Sequence, residues 1–204
     1  MADGLARARL ARAAAALNRG RITALPALVF LTDDERTPEP LKAVCALPHG
    51  SLVILRARRE SGRSALVDAI APLAKERRLY WIVADDPELA SRAGADGAHF
   101  PEARLAEAHH WRTIRAHWLI TCAAHSLDAC ARVARAGADA ALLAPVFATA
   151  SHGDGAVLGP LRLRAIAKQS PVAVYALGGI DDKTVMRLCG APLAGLAAVG
   201  ALTI

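Results

Sequence analysis

Residues 172–180 read V-A-V-Y-A-L-G-G-I, and no other stretch limits the possible folds of this chain as tightly. A strand covered on both faces is a continuous apolar run, without the alternation of a half-exposed strand. The run stops at Gly178-Gly179, where the backbone can turn tightly and approach another group closely. Asp181 or Asp182 then stands where it can cap a following helix. Strand, glycine turn and helix start together aim backbone N–H groups at an anion. Residues 195–201, G-L-A-A-V-G-A, repeat the arrangement with Gly200 at the turn. Two neighbouring strand ends that share one phosphate belong after strands seven and eight of an eightfold βα barrel. The alternative is that these glycines make tight turns and nothing more.

The rest of the chain agrees with such a barrel. Apolar runs at 27–31, 51–55, 79–83, 98–100, 118–122 and 140–143 precede the two already described. Helical segments are predicted between them: a short one near Pro38 and Pro40, then 64–76, a brief one before Gly94, 105–115, one from Ser126 to Gly137, and one from Pro160. Strands alternating with helices predict a single α/β domain over residues 1–204, a (β/α)8 TIM barrel. At 204 residues the chain is at the short end for that fold, and its 54% hydrophobic content supplies the core. No helix is predicted after strand eight. An extra N-terminal helix over 5–17, with Leu10, Ala13, Ala14 and Leu17 on one face and Gly20 as its left-handed cap, is expected to fill that groove. The N-terminal helix thus takes residues 1–20 and the barrel 27–204. A G-A-D triplet recurs at 94–96 and 137–139, just before strands four and six.

The formal net charge of +6 hints at an anionic partner. Nearly all of it is arginine, and basic residues do not interleave with aromatics, so nucleic-acid binding is not expected. No run suits a membrane span and the N-terminus lacks a signal-peptide pattern, so a cytoplasmic protein is expected. Cys45, Cys122, Cys130 and Cys189 form no CxxC pair or metal-ligand spacing, and are expected to be reduced and mostly buried.

Four motifs carry a more specific signal: G-A-D-G-A-H at 94–99, His125-Ser126 at a helix start, P-V-F-A-T at 145–149 and L-G-G-I at 177–180. In this order and spacing the chain, from about residue 28 to residue 202, resembles the thiamine phosphate synthase family, which includes the thiazole tautomerase (TenI-like) branch. The resemblance implies a TIM barrel that binds a small-molecule thiazole phosphate at the C-terminal ends of its strands, and a possible homo-oligomer. It assigns the phosphate to backbone N–H groups of Gly178, Gly179, Gly200 and Ala201. It places Arg56 and Arg58 where the family holds a pyrophosphate, keeps Thr149, and puts His152 where a lysine is expected. Of the metal site it retains Asp85. The preceding asparagine is Ala84, the second aspartate falls near Arg104 with Glu102 close by, and a serine is replaced by Ala123.

These departures bear on the activity. A synthase that expels pyrophosphate needs Mg²⁺ and cations around the developing charge, and Mg²⁺ prefers several hard oxygen ligands. A tautomerase needs no cofactor. The resemblance gives its proton transfer to His125, and imidazole titrates near neutrality. The sequence therefore leans to a thiazole tautomerase-like reaction. A Mg²⁺-dependent synthase is the alternative, and a non-catalytic phosphate-binding barrel a second. His125 could equally be a helix N-terminal residue without chemistry. His99 reads as a structural residue of the barrel end, His109 and His110 as solvated, and His117 as lying at the opposite barrel end. Asp33 closes strand one at the functional face, and Arg58 and Arg59 could be solvated charges.

Overall fold

The eight apolar runs are strands of one closed parallel barrel, arranged in sequence order. They are β1 (Leu28–Leu31), β2 (Leu52–Leu55), β3 (Tyr80–Ala84), β4 (Gly97–Phe100), β5 (Leu119–Ala124), β6 (Ala140–Leu143), β7 (Ala173–Leu177) and β8 (Gly195–Ala198). The computed structural model describes residues 2–19, 24–57, 60–149 and 156–203. Closure joins β8 to β1 through Leu28↔Leu196, Val29↔Ala197 and Phe30↔Ala198.

Each strand is buried on both faces, which is why the runs are continuous. Leu31, Ile54, Ile82, Leu142, Tyr175 and Ala197 point into the barrel. Their neighbours Phe30, Val53, Val83, Ala141, Val174 and Leu196 pack under the helices. The Tyr175 hydroxyl donates to Pro26 O at 2.6 Å, so the buried phenol keeps a partner.

The surrounding helices are α1 (Ala2–Asn18), α2 (Pro40–Cys45), α3 (Glu60–Glu76), α4 (Pro87–Ala93), α5 (Leu105–Ile114), α6 (Leu127–Arg135) and α7 (Gly159–Gln169). Pro40, Pro87 and Pro160 all stand in first turns, where a missing N–H costs nothing. Ser126 caps α6 by accepting from Ala129 N. α1 buries Leu10, Ala14 and Leu17 against β8 and β1. Its last residue, Asn18, donates to Leu25 O and Ala194 O, which ties the helix end to the strands beneath. The expected cap Gly20 lies outside the described residues.

Four expectations are corrected. The segment after β7 is not an α-helix but a 3-10 turn, Val185–Leu188; Gly190, in a left-handed conformation, and Pro192 stop it. α3 begins at Glu60, a turn before Ser64, and β5 runs on to Ala124 because β6 pairs with it that far. Only Cys122 and Cys130 are buried; Cys45 and Cys189 are exposed, and all four are free. No described helix is long and apolar enough to cross a membrane.

The G-A-D echo closes the bottom of the barrel. Gly94 and Gly137 take positive φ after α4 and α6. Asp96 then accepts from Trp81 N at 2.8 Å, and Asp139 from Ile120 N at 2.7 Å, so each carboxylate satisfies an amide near the start of the preceding strand. Asp139 also receives Arg112 Nη2 at 2.6 Å.

Candidate active site at the C-terminal ends of the strands

The sequence T-D at the end of β1 builds the first part of the site. The Thr32 hydroxyl donates to Arg56 O at 3.0 Å and accepts from Arg56 N at 2.9 Å, which pins the backbone at the end of β2. Asp33, 4% exposed, receives Arg56 Nη2 at 2.6 Å and Arg36 Nη2 at 3.1 Å on the same oxygen. Its other oxygen accepts from the backbone N–H groups of Glu35 and Arg36. Burial pushes the Asp33 carboxyl up. The side-chain and backbone hydrogen bonds of Arg36 and the charges of Arg36 and Arg56 outweigh it, and hold the group well below the usual carboxylate range. One carboxylate thus orients two guanidinium groups and leaves a surplus positive charge at the mouth of the barrel. Arg56 Nε is buried and has no hydrogen-bond partner among the described residues.

The second part lies at β7 and β8. Val146 N donates to Leu177 O and Phe147 N to Gly178 O, so the loop after β6 continues the sheet beside the Gly-Gly turn. Gly178 and Gly179 have φ of 99° and 64°. A Cβ on Gly179 would fall 2.5 Å from Ala148 O, so only glycine lets these two loops touch. The amides of Gly179, Gly200 and Ala201 donate to no backbone carbonyl among the described residues. Gly200 and Ala201 open a 3-10 turn (Gly200–Leu202), where the first amides have no partner within the turn. Above them Arg187 places its guanidinium 4.9 Å from the Phe147 ring centroid.

These two parts face a single cavity of about 860 Å³. Arg36 and Arg56 line it from the ends of β1 and β2, Gly178, Gly179, Arg187, Gly200 and Ala201 from beyond β7 and β8, and Thr149 from the loop after β6. Its arginines and unpaired amides favour an anion.

The third part, at β3 to β5, is different. His99 is buried, with Nδ1 2.9 Å from the Thr121 hydroxyl, and burial and the Arg56 charge lower its pKa to about 4. Asp85, at φ 64°, is faced by Arg104, whose Nη1 donates to Asp85 O at 2.8 Å and lies 4.0 Å from Oδ1. Arg104 Nε and Nη2 grip both oxygens of Glu107 at 2.6 Å. Arg63 pairs with Asp86, and Arg132 with Glu102 and Asp128. Among the described residues no group of three or more His, Cys, Asp or Glu side chains could hold a metal ion. The surroundings of Asp85 therefore do not fit Mg²⁺, which needs several free oxygen ligands.

His125 is exposed, and its Nδ1 lies 2.8 Å from Ala144 O. A carbonyl only accepts, so Nδ1 carries the proton and the neutral ring keeps its lone pair on Nε2. Ala144 lines the anion cavity, although His125 itself stands beside it.

The structure thus brings Gly178, Gly179, Gly200, Ala201, Arg56 and Thr149 to one cavity, places Asp85 and His125 on the adjoining rim, and leaves Arg58 and His152 outside the described residues. Sequence reasoning did not find Arg36 and Arg187. Arg36 stands three residues after Asp33, a spacing that offers an ion pair. Nothing in the sequence brings Arg187 over Phe147, because that contact joins two loops.

A closed eight-stranded parallel barrel with a cavity at the carboxyl ends of its strands defines the class of (β/α)8 barrels. The comparisons give the family. The model described as thiamine monophosphate synthase matches residues 28–202, and the chain belongs to that family. It is 31% identical over 182 residues to a thiamine-phosphate synthase of Methanoculleus marisnigri, covering 86% of each chain. It is 34% identical over 171 residues to one of Herpetosiphon aurantiacus, covering 80% of this chain and 81% of the relative. Among solved structures, a thiamine phosphate pyrophosphorylase from Pyrococcus furiosus shares the fold with a TM-score of 0.70, at 21% identity and 84% coverage of both chains.

Proposed function

We propose that the chain is a thiamine-phosphate synthase, the activity its curated relatives are named for, rather than the tautomerase to which the sequence leans. On this reading a thiazole phosphate rests on the amides of Gly179, Gly200 and Ala201, with Gly178 shaping the turn and Arg187 above. The pyrophosphate of an activated pyrimidine lies against Arg36 and Arg56, and Arg58, Thr149 and His152 belong to the same site. The thiazole nitrogen attacks the pyrimidine methylene carbon. Its lone pair becomes the new C–N bond, the C–O bond to pyrophosphate breaks, and that electron pair leaves on pyrophosphate. Preorganised guanidinium groups meet charge that develops on the leaving group. The observation that carries this reading is one cavity with an amide cup on one side and the Asp33-anchored arginine pair on the other, room for two anionic substrates. A reducing cytoplasm suits the four free thiols.

A second reading rests on the tautomer of His125. Nε2 is free to take and return a proton, as a thiazole tautomerase would require. The test offers the protein thiazole phosphate and pyrimidine pyrophosphate, and follows thiamine phosphate after oxidation to its fluorescent derivative. Product that falls at least about tenfold in Arg56→Ala supports the synthase. No product, with faster aromatisation of the unstable thiazole carboxylate tautomer that His125→Asn abolishes, replaces it with the tautomerase. Neither reaction, with thiazole phosphate still bound, leaves a binding protein.

A further inference from the structure

We propose that Arg104 is a built-in cation that occupies the place where a divalent ion would meet Asp85, so that this rim holds none. The proposal deepens the synthase reading but rests on the geometry of this rim.

Asp85 ends β3 and Arg104 ends the short turn after β4 (Glu102–Arg104), so both stand on the rim that carries Arg56. The left-handed conformation of Asp85 is one that Asp adopts more readily than most residues. In it the Asp85 carbonyl accepts from Arg104 Nη1 at 2.8 Å, while the carboxylate lies 4.0 Å from the same nitrogen. Glu107 fixes the other edge of the guanidinium with two hydrogen bonds of 2.6 Å. These hydrogen bonds outweigh burial, and with the charges of Glu107, Asp85 and Glu88 they hold Arg104 more firmly protonated than usual. A planar guanidinium gripped on both edges is a fixed charge, unlike a flexible ammonium.

Among the described residues the neighbouring carboxylates form no other metal site. Arg132 holds Glu102 through Oε1 while its buried Oε2 has no partner among the described residues, and Arg63 holds Asp86. A divalent ion at Asp85 would have to displace Arg104 from three hydrogen bonds and stand beside its charge. Without Arg104 the negative charges of Asp85, Glu107 and Glu88, which now act on its guanidinium, would be left uncompensated. Arg104 is therefore the residue that decides whether this rim binds a metal.

The experiment reads metal binding directly, so it is independent of turnover and of the synthase reading. Mn²⁺ is titrated into the full chain and its Arg104→Ala and Arg104→Asp variants, with free Mn²⁺ followed by electron paramagnetic resonance and folding by circular dichroism. The wild type is expected to bind no stoichiometric Mn²⁺. Arg104→Asp, which adds a carboxylate, is expected to bind one equivalent, at least about tenfold more tightly than any weak association of the wild type, with Arg104→Ala between them. Mg²⁺ should displace the ion, and a further Asp85→Asn change should abolish its binding. One equivalent bound by the wild type and lost in Asp85→Asn would overturn the proposal. So would two folded variants that bind no better than the wild type.

Discussion

Gly179 and Gly200 stand in one cup for opposite physical reasons. Gly179 has φ 64° and no room for a Cβ, whereas a Cβ on Gly200 would meet nothing within 4 Å. Gly179→Ala is expected to cost about 2–3 kcal/mol of stability, since it joins left-handed strain to a clash with the Ala148 carbonyl. Gly200→Val should leave the denaturation midpoint within about 0.5 kcal/mol of the wild type. Its side chain fills the open cup, so calorimetry should find thiazole phosphate bound at least about tenfold more weakly. If Gly200→Val binds as the wild type does, the phosphate does not sit on these amides. His99 supplies the pH dependence at the same scale. Burial and then the Arg56 charge hold it at about 4, against about 6.5 for an unfolded histidine. Between these values the unfolded chain binds the extra proton. Stability from a neutral His99 is therefore full above about 6.5 and is lost as pH falls toward 4, by on the order of 3 kcal/mol in all. Urea denaturation at intervals across this window should show the decline, and His99→Asn, which cannot titrate, should flatten it.

At the scale of elements, α1 does the work of a barrel helix although it precedes the first strand. Leu10 is fully buried, while Leu5 on the same helix is 61% exposed. Leu10→Ala is expected to destabilise the whole barrel by roughly 2–4 kcal/mol, and Leu5→Ala by less than about 0.5. Equal and small losses in chemical denaturation would mean that α1 rests on the barrel without supporting it. This helix and all eight strands were legible in the sequence because burial has a local signature: a continuous apolar run in a strand, a stripe in a helix. The turn after β7 was not legible, since Asp181 caps an Asx-type turn with the same residue that would start a helix; its side chain accepts from Lys183 N and Thr184 N. The lining of the candidate cavity was readable where it depends on backbone, as at Gly178-Gly179, and where a resemblance pointed to Arg56. It was not readable where it depends on distant loops meeting, as in Arg187 on Phe147, or where arginines claim carboxylates from other elements, as Arg104 claims Asp85.

At the scale of the whole molecule the barrel divides into a bottom that holds it together and a top that carries the candidate site. Tyr175 to Pro26, Asp96 to Trp81, and Asp139 to Ile120 and Arg112 close the bottom with side chains bonded to backbone or to arginine. The top carries the arginines, the open amides and the left-handed residues Asp85, Gly178 and Gly179. Stability and binding should therefore separate in space. Asp139→Ala strands the Ile120 amide and the Arg112 guanidinium, and is expected to lower stability by about 2–3 kcal/mol while thiazole phosphate affinity stays within about twofold. Arg187→Ala removes an exposed cation and one ring contact, so it should cost less than about 1 kcal/mol of stability. It should weaken thiazole phosphate about tenfold or more, in line with the loss of a charge-assisted contact. Paired measurements, the urea midpoint without ligand and the thermal shift on saturation with thiazole phosphate, place each variant on two axes. Ligand stabilises only the folded state, so the shift at a fixed excess reports affinity once the midpoint is known. If Asp139→Ala lost binding as fully as Arg187→Ala did, with both proteins still folded, the two ends of the barrel would be coupled and the division between them would not hold.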